Sequence, residues 1–163
     1  MNKEILFIIT QLKDAYKGEP WFGRSIIELL EEVKESDAFI KWNDQHSMLE
    51  LLWHINNWRE FTIYSLEPDE EKSMKYFEQN DWLKLDMNDK SLWAKGLIGL
   101  AETQHELINI LQKQNDAILD KIVPDRKYNF RKLLHGLIQH HIYHLGQIAY
   151  LNKMLLSKED EFY

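Results

Sequence analysis

The stretch "SMLELLWHINNWREFTIYSL", residues 47–66, decides the fold. Ser47 with Glu50 three residues later is a capping-box pattern. In it the serine side chain accepts from the third helical amide, and the glutamate reaches back to the serine amide. Apolar residues follow at helical rather than alternating spacing, and Pro68 stops the run. A long helix is therefore expected from Ser47 to just before Pro68.

The same logic extends in both directions. Upstream, Lys3 to Tyr16 places Ile5, Ile8, Ile9 and Leu12 on one face, and "KGEPWFG" ends that helix. Ser25 with Glu28 in "SIIE" is another capping box, opening a short helix to about Lys34. Downstream, residues 69–90 read as polar and irregular, anchored by Tyr76, Phe77 and Trp82. A third long helix is expected from Ser91 to Ile122, closed by Pro124, and a fourth from Phe130 to about Leu156 with Asn129 as its N-cap. Only six glycines and three prolines interrupt the chain, and β-branched alternation is nearly absent. The expected fold is all-α: a four-helix bundle with one short extra helix after the first. No repeat or linker divides residues 1–163, so one domain is expected.

Composition narrows the function classes. Twenty basic against twenty-seven acidic residues give a net charge of −7, which argues against nucleic acid as a partner. No local run of Lys and Arg invites an anionic membrane. The apolar stretch Ile5 to Thr10 is too short for a membrane span and lacks a cleavage site, so a cytoplasmic protein is expected. There is no cysteine, which removes thiolate ligands, disulfides and a cysteine nucleophile.

Chemistry concentrates in "QHHIYHLGQIAY", residues 139–150, which holds three of the seven histidines. His140 and His144 are four apart, one helical turn, and can reach one metal ion at about 2.0–2.1 Å each. His141 and His144, three apart, can do nearly the same. Periodicity does not choose between the pairs. His141 lies within the apolar stripe of Leu134, Ile138, Leu145 and Ile148, while His140 sits at its margin. His141 therefore reads as either a ligand or a buried, hydrogen-bonded core histidine. The helix opened by Ser47 adds His54 amid Leu51, Leu52, Ile55 and Trp58, an apolar setting in which an imidazole needs a partner. One histidine on that helix and a pair on the last are the parts of a three-histidine site between facing helices. Three ligands with an open position are the catalytic arrangement.

These residues resemble the DinB-like (YfiT-like) superfamily. "HSMLELLWHINNWRE" is similar to its histidine-bearing second helix, matching H-x-x-x-W-R-E at His54, Trp58, Arg59 and Glu60. "LLHGLIQHHIYHLGQI" is similar to its last helix, matching H-x-x-Y-H-x-G-Q-I at His140, Tyr143, His144, Gly146, Gln147 and Ile148. "GEPWFGRSIIELLEEV" resembles the segment after the family's first helix. The resemblance implies a four-helix bundle, frequently a homodimer, binding a divalent metal through His54, His140 and His144. Zn or Ni suit three imidazoles best, with Fe or Mn as alternatives. Where the family often has Asp, this chain has His141, which leaves that residue a supporting or alternative-ligand role. The resemblance further implies a small-molecule substrate, with thiol-dependent S-transferases that use a low-molecular-weight thiol cosubstrate among the relatives. It equally admits a hydrolase, or a metal-binding stress-response protein without turnover.

Other residues carry paired readings. Gln147, on the face of His140 and His144, is either a hydrogen-bond partner of a ligand or a polar rim residue. Asn57, three after His54, invites the same choice. Trp58 shares the His54 face and is expected to wall a pocket or pack in the core. Tyr143 lines a cavity or packs at an interface. Gly146 costs about 1 kcal/mol relative to alanine inside a helix, which close approach of a neighbouring helix would explain. Arg59 and Glu60 read as solvated or as an ion pair; Glu60 lies about 120° off the His54 face and is no general base. That absence favours a metal-held thiol over metal-activated water. His46, His105 and His135 read as structural or surface residues.

Overall fold

Local chemistry sets the helix starts. At Ser25 and at Ser47 both halves of the capping box form: each serine side chain accepts from the third helical amide, and Glu28 and Glu50 accept from the serine backbone amides at 2.7 and 2.8 Å. The computed structural model describes residues 2–68 and 72–159. Among the described residues there are seven α-helices and no strand: α1 Lys3–Lys17, α2 Ile26–Glu31, α3 Glu35–Ala38, α4 Met48–Leu66, α5 Met74–Gln79, α6 Leu92–Gln112 and α7 Phe130–Glu159. None of these is long and apolar enough to cross a membrane.

The four long helices form the bundle. α4 packs on α6 and α7, and α1 packs on the same two, so α1 and α4 stand at opposite corners. Two apolar clusters fill the interior. One gathers Ile5, Ile8, Leu12, Ile63, Leu107, Leu111, Leu134 and Ile138; the other gathers Met48, Leu52, Ile55, Leu100, Leu145 and Ile148.

Between them lies a polar layer. On α4, Arg59 falls between Ile55 and Ile63; on α6, Thr103 and Gln104 fall between Leu100 and Leu107; on α7, His141 falls between Ile138 and Leu145. Arg59 is fully buried among neutral partners, where the sequence reads as a solvated side chain or an ion pair. Its Nε donates to Thr103 Oγ1 at 2.9 Å, its Nη2 to Gln104 Oε1, and its Nη1 to His141 Nδ1 at 3.4 Å. Gln104 Nε2 in turn donates to the Leu12 carbonyl of α1. Burial lowers the Arg59 pKa to about 10, which still leaves it charged at neutral pH.

Three expected boundaries move. The third long helix ends at Gln112, ten residues before Ile122. Ile118 and Leu119 continue the apolar pattern, but the Asn115 side chain accepts from the Ala117 amide and turns the chain into a 3-10 helix, Asp116–Asp120. The turn also places Asp116 Oδ1 at 2.9 Å from the Ile5 amide, where it caps α1. The short second helix stops at Glu31, and Lys34 begins a separate turn, α3. Within the stretch expected to be irregular, of which residues 69–71 lie outside the described residues, α5 forms from a Ser73 cap. It buries Phe77 against Phe61, Val123 and Phe130.

Candidate metal centre

α4 and α7 face each other along a groove that holds His54, His140 and His144. One ring nitrogen from each of the three lies within 4.8 Å of the others, an arrangement that could hold a metal ion. His54 Nε2 and His140 Nε2 are 2.9 Å apart. A tetrahedral ion at 2.0–2.1 Å from each ligand separates its nitrogens by about 3.3 Å, which falls between those two distances. The histidine nitrogens therefore fit a divalent metal.

Hydrogen bonds behind two of the three rings point their free nitrogens inward, while His140 Nδ1 has no partner among the described residues. His54 Nδ1 donates to the Asp81 carbonyl at 2.7 Å, and His144 Nδ1 to Gln147 Oε1 at 2.6 Å. A carbonyl oxygen only accepts, so each Nδ1 carries the proton and each Nε2 keeps its lone pair. The Asp81 carboxylate adds to the hold on His54: Oδ1 lies 3.3 Å from His54 Nδ1 and accepts from Trp58 Nε1 at 2.7 Å. Burial, and then the neighbouring His144 and His54, push the His140 pKa down to about 3. Burial also lowers that of His144, although the Gln147 bond opposes it. Neutral imidazole is the form a metal requires.

The trio opens into a cavity of about 980 Å³. Trp58 walls it and meets the His54 ring edge-on, with centroids 6.5 Å apart. Tyr143, 63% exposed, stands at its mouth with its ring edge-on to His144. Gln147 lines it while holding His144. Asn57 is placed elsewhere: its side chain donates to the Phe77 carbonyl and ties α4 to α5. His141 points away from the trio into the polar layer, where its Nδ1 accepts from Arg59 and its Nε2 has no partner among the described residues. Of the pairs that helical spacing left open, the structure brings His140 and His144 together with His54. Gly146 has no atom within 4 Å of a Cβ position, so close helix approach does not explain it.

Three residues at the site are not assigned to it by the sequence: Asp81 carries no reading, Trp82 reads only as an anchor, and His46 as a structural or surface residue. Asp81 and Trp82 follow α5 and reach His54 from 27 and 28 positions away, beyond any helical periodicity. His46 precedes the Ser47 cap, and its ring stacks on Trp82 with centroids 3.6 Å apart. The reading of Trp82 as an anchor is the sole hint of this part of the site in the sequence.

A family model described as the DinB superfamily matches residues 23–148, a span that includes all three clustered histidines. No curated protein and no solved structure matches the chain.

Proposed function

The chain belongs to the DinB superfamily, and from that premise we propose that it is a divalent-metal-dependent enzyme acting on a small molecule, with His54, His140 and His144 as the metal ligands. The observation that carries this reading is the convergence of three imidazole nitrogens within 4.8 Å at the wall of a 980 Å³ cavity. Structural metal sites are closed by four protein ligands, whereas three ligands beside a cavity leave room for a reactant. A bound Zn or Ni, or Fe or Mn, would supply a Lewis acid that lowers the pKa of water or of a thiol.

The chain's own residues would do the rest. Asp81 and Gln147 fix the tautomers of His54 and His144, and Trp58 and Trp82 shield the trio from bulk water. No glutamate or aspartate lines the cavity among the described residues, so no carboxylate there is in position to act as a general base. That favours S-transfer with a low-molecular-weight thiol cosubstrate over hydrolysis, the thiol bringing its own nucleophile. A cytoplasmic homodimer is the proposed working form.

Metal analysis of untagged protein tests the site. About one equivalent of metal is expected, and it should be lost in His54→Ala, His140→Ala and His144→Ala. Metal content unchanged in all three variants overturns it. Turnover is tested on the metal-loaded protein with thiols and epoxide or bimane electrophiles, beside a hydrolase panel. Metal-dependent turnover supports the enzyme; bound metal without turnover in any of them makes the protein a non-catalytic metal binder.

A further inference from the structure

Glycine in the middle of a helix costs about 1 kcal/mol relative to alanine, so its presence calls for a cause. Gly136 lies inside α7, and a Cβ built on it meets nothing within 4 Å. Its φ is not in the left-handed region, and no neighbouring helix approaches it. What Gly136 does face is the cavity, which it lines.

Its neighbours along α7 on the cavity wall are Lys132, His140 and His144. At four-residue spacing and 100° per residue these positions climb α7 in a slanting row, each about 40° round the helix from the last. All four line the cavity. Along this row the cavity wall thus presents a cation, a gap and two of the clustered histidines. From Lys132 to His140 the lane covers roughly 12 Å of helix axis at 1.5 Å per residue. Phe61 and Trp58 from α4, with Leu133 and Leu137 from α7, make its walls apolar.

The charge is equally one-sided. Lys132 is exposed, lies 5.8 Å from the Tyr128 ring centroid, and has no carboxylate partner among the described residues. Among the described residues it is, apart from histidine, the only ionisable basic side chain on the cavity wall, and no acidic side chain lines that wall. The chain as a whole carries −7, so its general field repels anions and any attraction must be local. The cavity volume equals that of roughly thirty waters at liquid density, far more than a diatomic or a simple ion needs.

We propose that the site takes an elongated substrate with an anionic group held by Lys132, a flat apolar body lying over Gly136, and its reacting group at the three histidines. This deepens the metal-enzyme reading and rests on it only for the reacting end. Gly136 is then a specificity-determining residue: any side chain there would fill the lane.

The test uses 4-phenylbutane-1-sulfonate and the neutral 4-phenylbutan-1-ol as probes. Binding is followed through the fluorescence of the cavity tryptophans, in metal-free and zinc-loaded full-length protein. Sulfonate is a poor metal ligand, so a preference for it reports Lys132. The wild type is expected to bind the sulfonate about fivefold more tightly than the alcohol in both forms, as one partly exposed ion pair provides. Lys132→Met should equalise the two probes. Gly136→Leu should lose both at least tenfold, with the thermal midpoint unchanged or raised and zinc content unaltered. Equal binding of the two probes by the wild type, or wild-type affinity for both in Gly136→Leu, overturns the proposal. Zinc bound at the histidines without probe binding sinks this inference alone. The expected probe pattern in a protein that binds no zinc upholds the lane and sinks the metal reading.

Discussion

Trp82 lies flat on the imidazole of His54, with ring centroids 4.0 Å apart and planes within 8°. His46 stacks on the other face of the indole at 3.6 Å and 4°, so the three rings form one pile. They come from three places in the chain: the approach to α4, α4 itself, and the segment after α5. The carbonyl of the preceding residue, Asp81, accepts from His54 Nδ1. Two consecutive residues thus fix both the plane and the tautomer of one histidine. Removing the indole frees the ring to tilt. Trp82→Ala is expected to weaken zinc binding by about 10-fold, at the low end for loss of a group that orients a ligand. Trp82→Phe should recover most of it. Competition with a chromophoric chelator measures both.

Gln147 does for His144 what the Asp81 carbonyl does for His54. In Gln147→Leu the Nδ1–H of His144 loses its acceptor, and the ring is free to present either nitrogen. Zinc affinity should fall by roughly 10- to 100-fold, with the unfolding midpoint of the metal-free protein little changed. Gln147→Glu, which keeps an acceptor, should bind zinc at least as well as the wild type. Titration of the two variants side by side separates orientation from general damage.

What was legible in the sequence was local. Ser25 with Glu28 and Ser47 with Glu50 announce helix starts because the partners are three residues apart. His140 and His144 share a face because they are four apart. The number and order of the long helices, and hence the bundle, follow from such short-range patterns. Arg59 shows the opposite case. Its partners Thr103, Gln104 and His141 lie 44 to 82 positions away, so nothing near it signals burial and its charge suggests a surface. The end of α6 was misplaced because Ile118 and Leu119 keep the apolar period while Asn115 breaks the backbone. At the site, spacing offered two histidine pairs, and only the rotation of α7 against α4 separates them. That rotation sends His141 to the Arg59 layer.

The Arg59 layer makes a stability prediction with a definite order. A buried guanidinium without a carboxylate is costly to desolvate, and its hydrogen bonds to Thr103, Gln104 and His141 offset that cost only in part. Arg59→Ala leaves a cavity and strands Gln104 Oε1, and should destabilise by about 3–5 kcal/mol. Arg59→Met fills the space and removes the buried charge, so it should cost much less. Urea midpoints of the three proteins test the order. If Met and Ala are equally damaging, the guanidinium hydrogen bonds, rather than packing, hold this layer together.

The glycines of α6 and α7 separate packing from propensity. A Cβ at Gly96 would sit 2.8 Å from Leu52 Cδ2 and 3.2 Å from Trp53 Nε1, where α6 meets α4. Gly99 would meet only the Asn56 side chain, at 3.4 Å from Nδ2 and 4.0 Å from Cγ, and Gly146 nothing. Gly146→Ala and Gly99→Ala should each stabilise by up to about 1 kcal/mol through helix propensity. Gly96→Ala should instead lose about 1–3 kcal/mol, because added volume at a tight contact forces side chains off their rotamers. Thermal melts of the three variants should fall on opposite sides of the wild type.

Glu50 links the start of α4 to pH. Its carboxylate accepts from the Ser47 amide at 2.8 Å and from Lys41 Nζ at 2.7 Å, with His46 Nδ1 3.9 Å away. Burial alone would raise its pKa, but the bonds from Lys41 and Ser47 outweigh it and leave the folded value below the usual 4.5. A depressed folded pKa means that the unfolded chain takes up the proton first on acidification. The stabilisation is therefore complete above about pH 5 and drains away as pH falls through the folded value. Glu50→Gln keeps an oxygen for the Ser47 amide but loses the charge facing Lys41. It should cost about 1 kcal/mol at pH 7, near the usual worth of a helix cap, and progressively less towards pH 3. The difference between wild-type and variant urea midpoints, followed from pH 7 to 3, should shrink steadily. A difference that stays constant over that range would mean that the cap acts through shape alone.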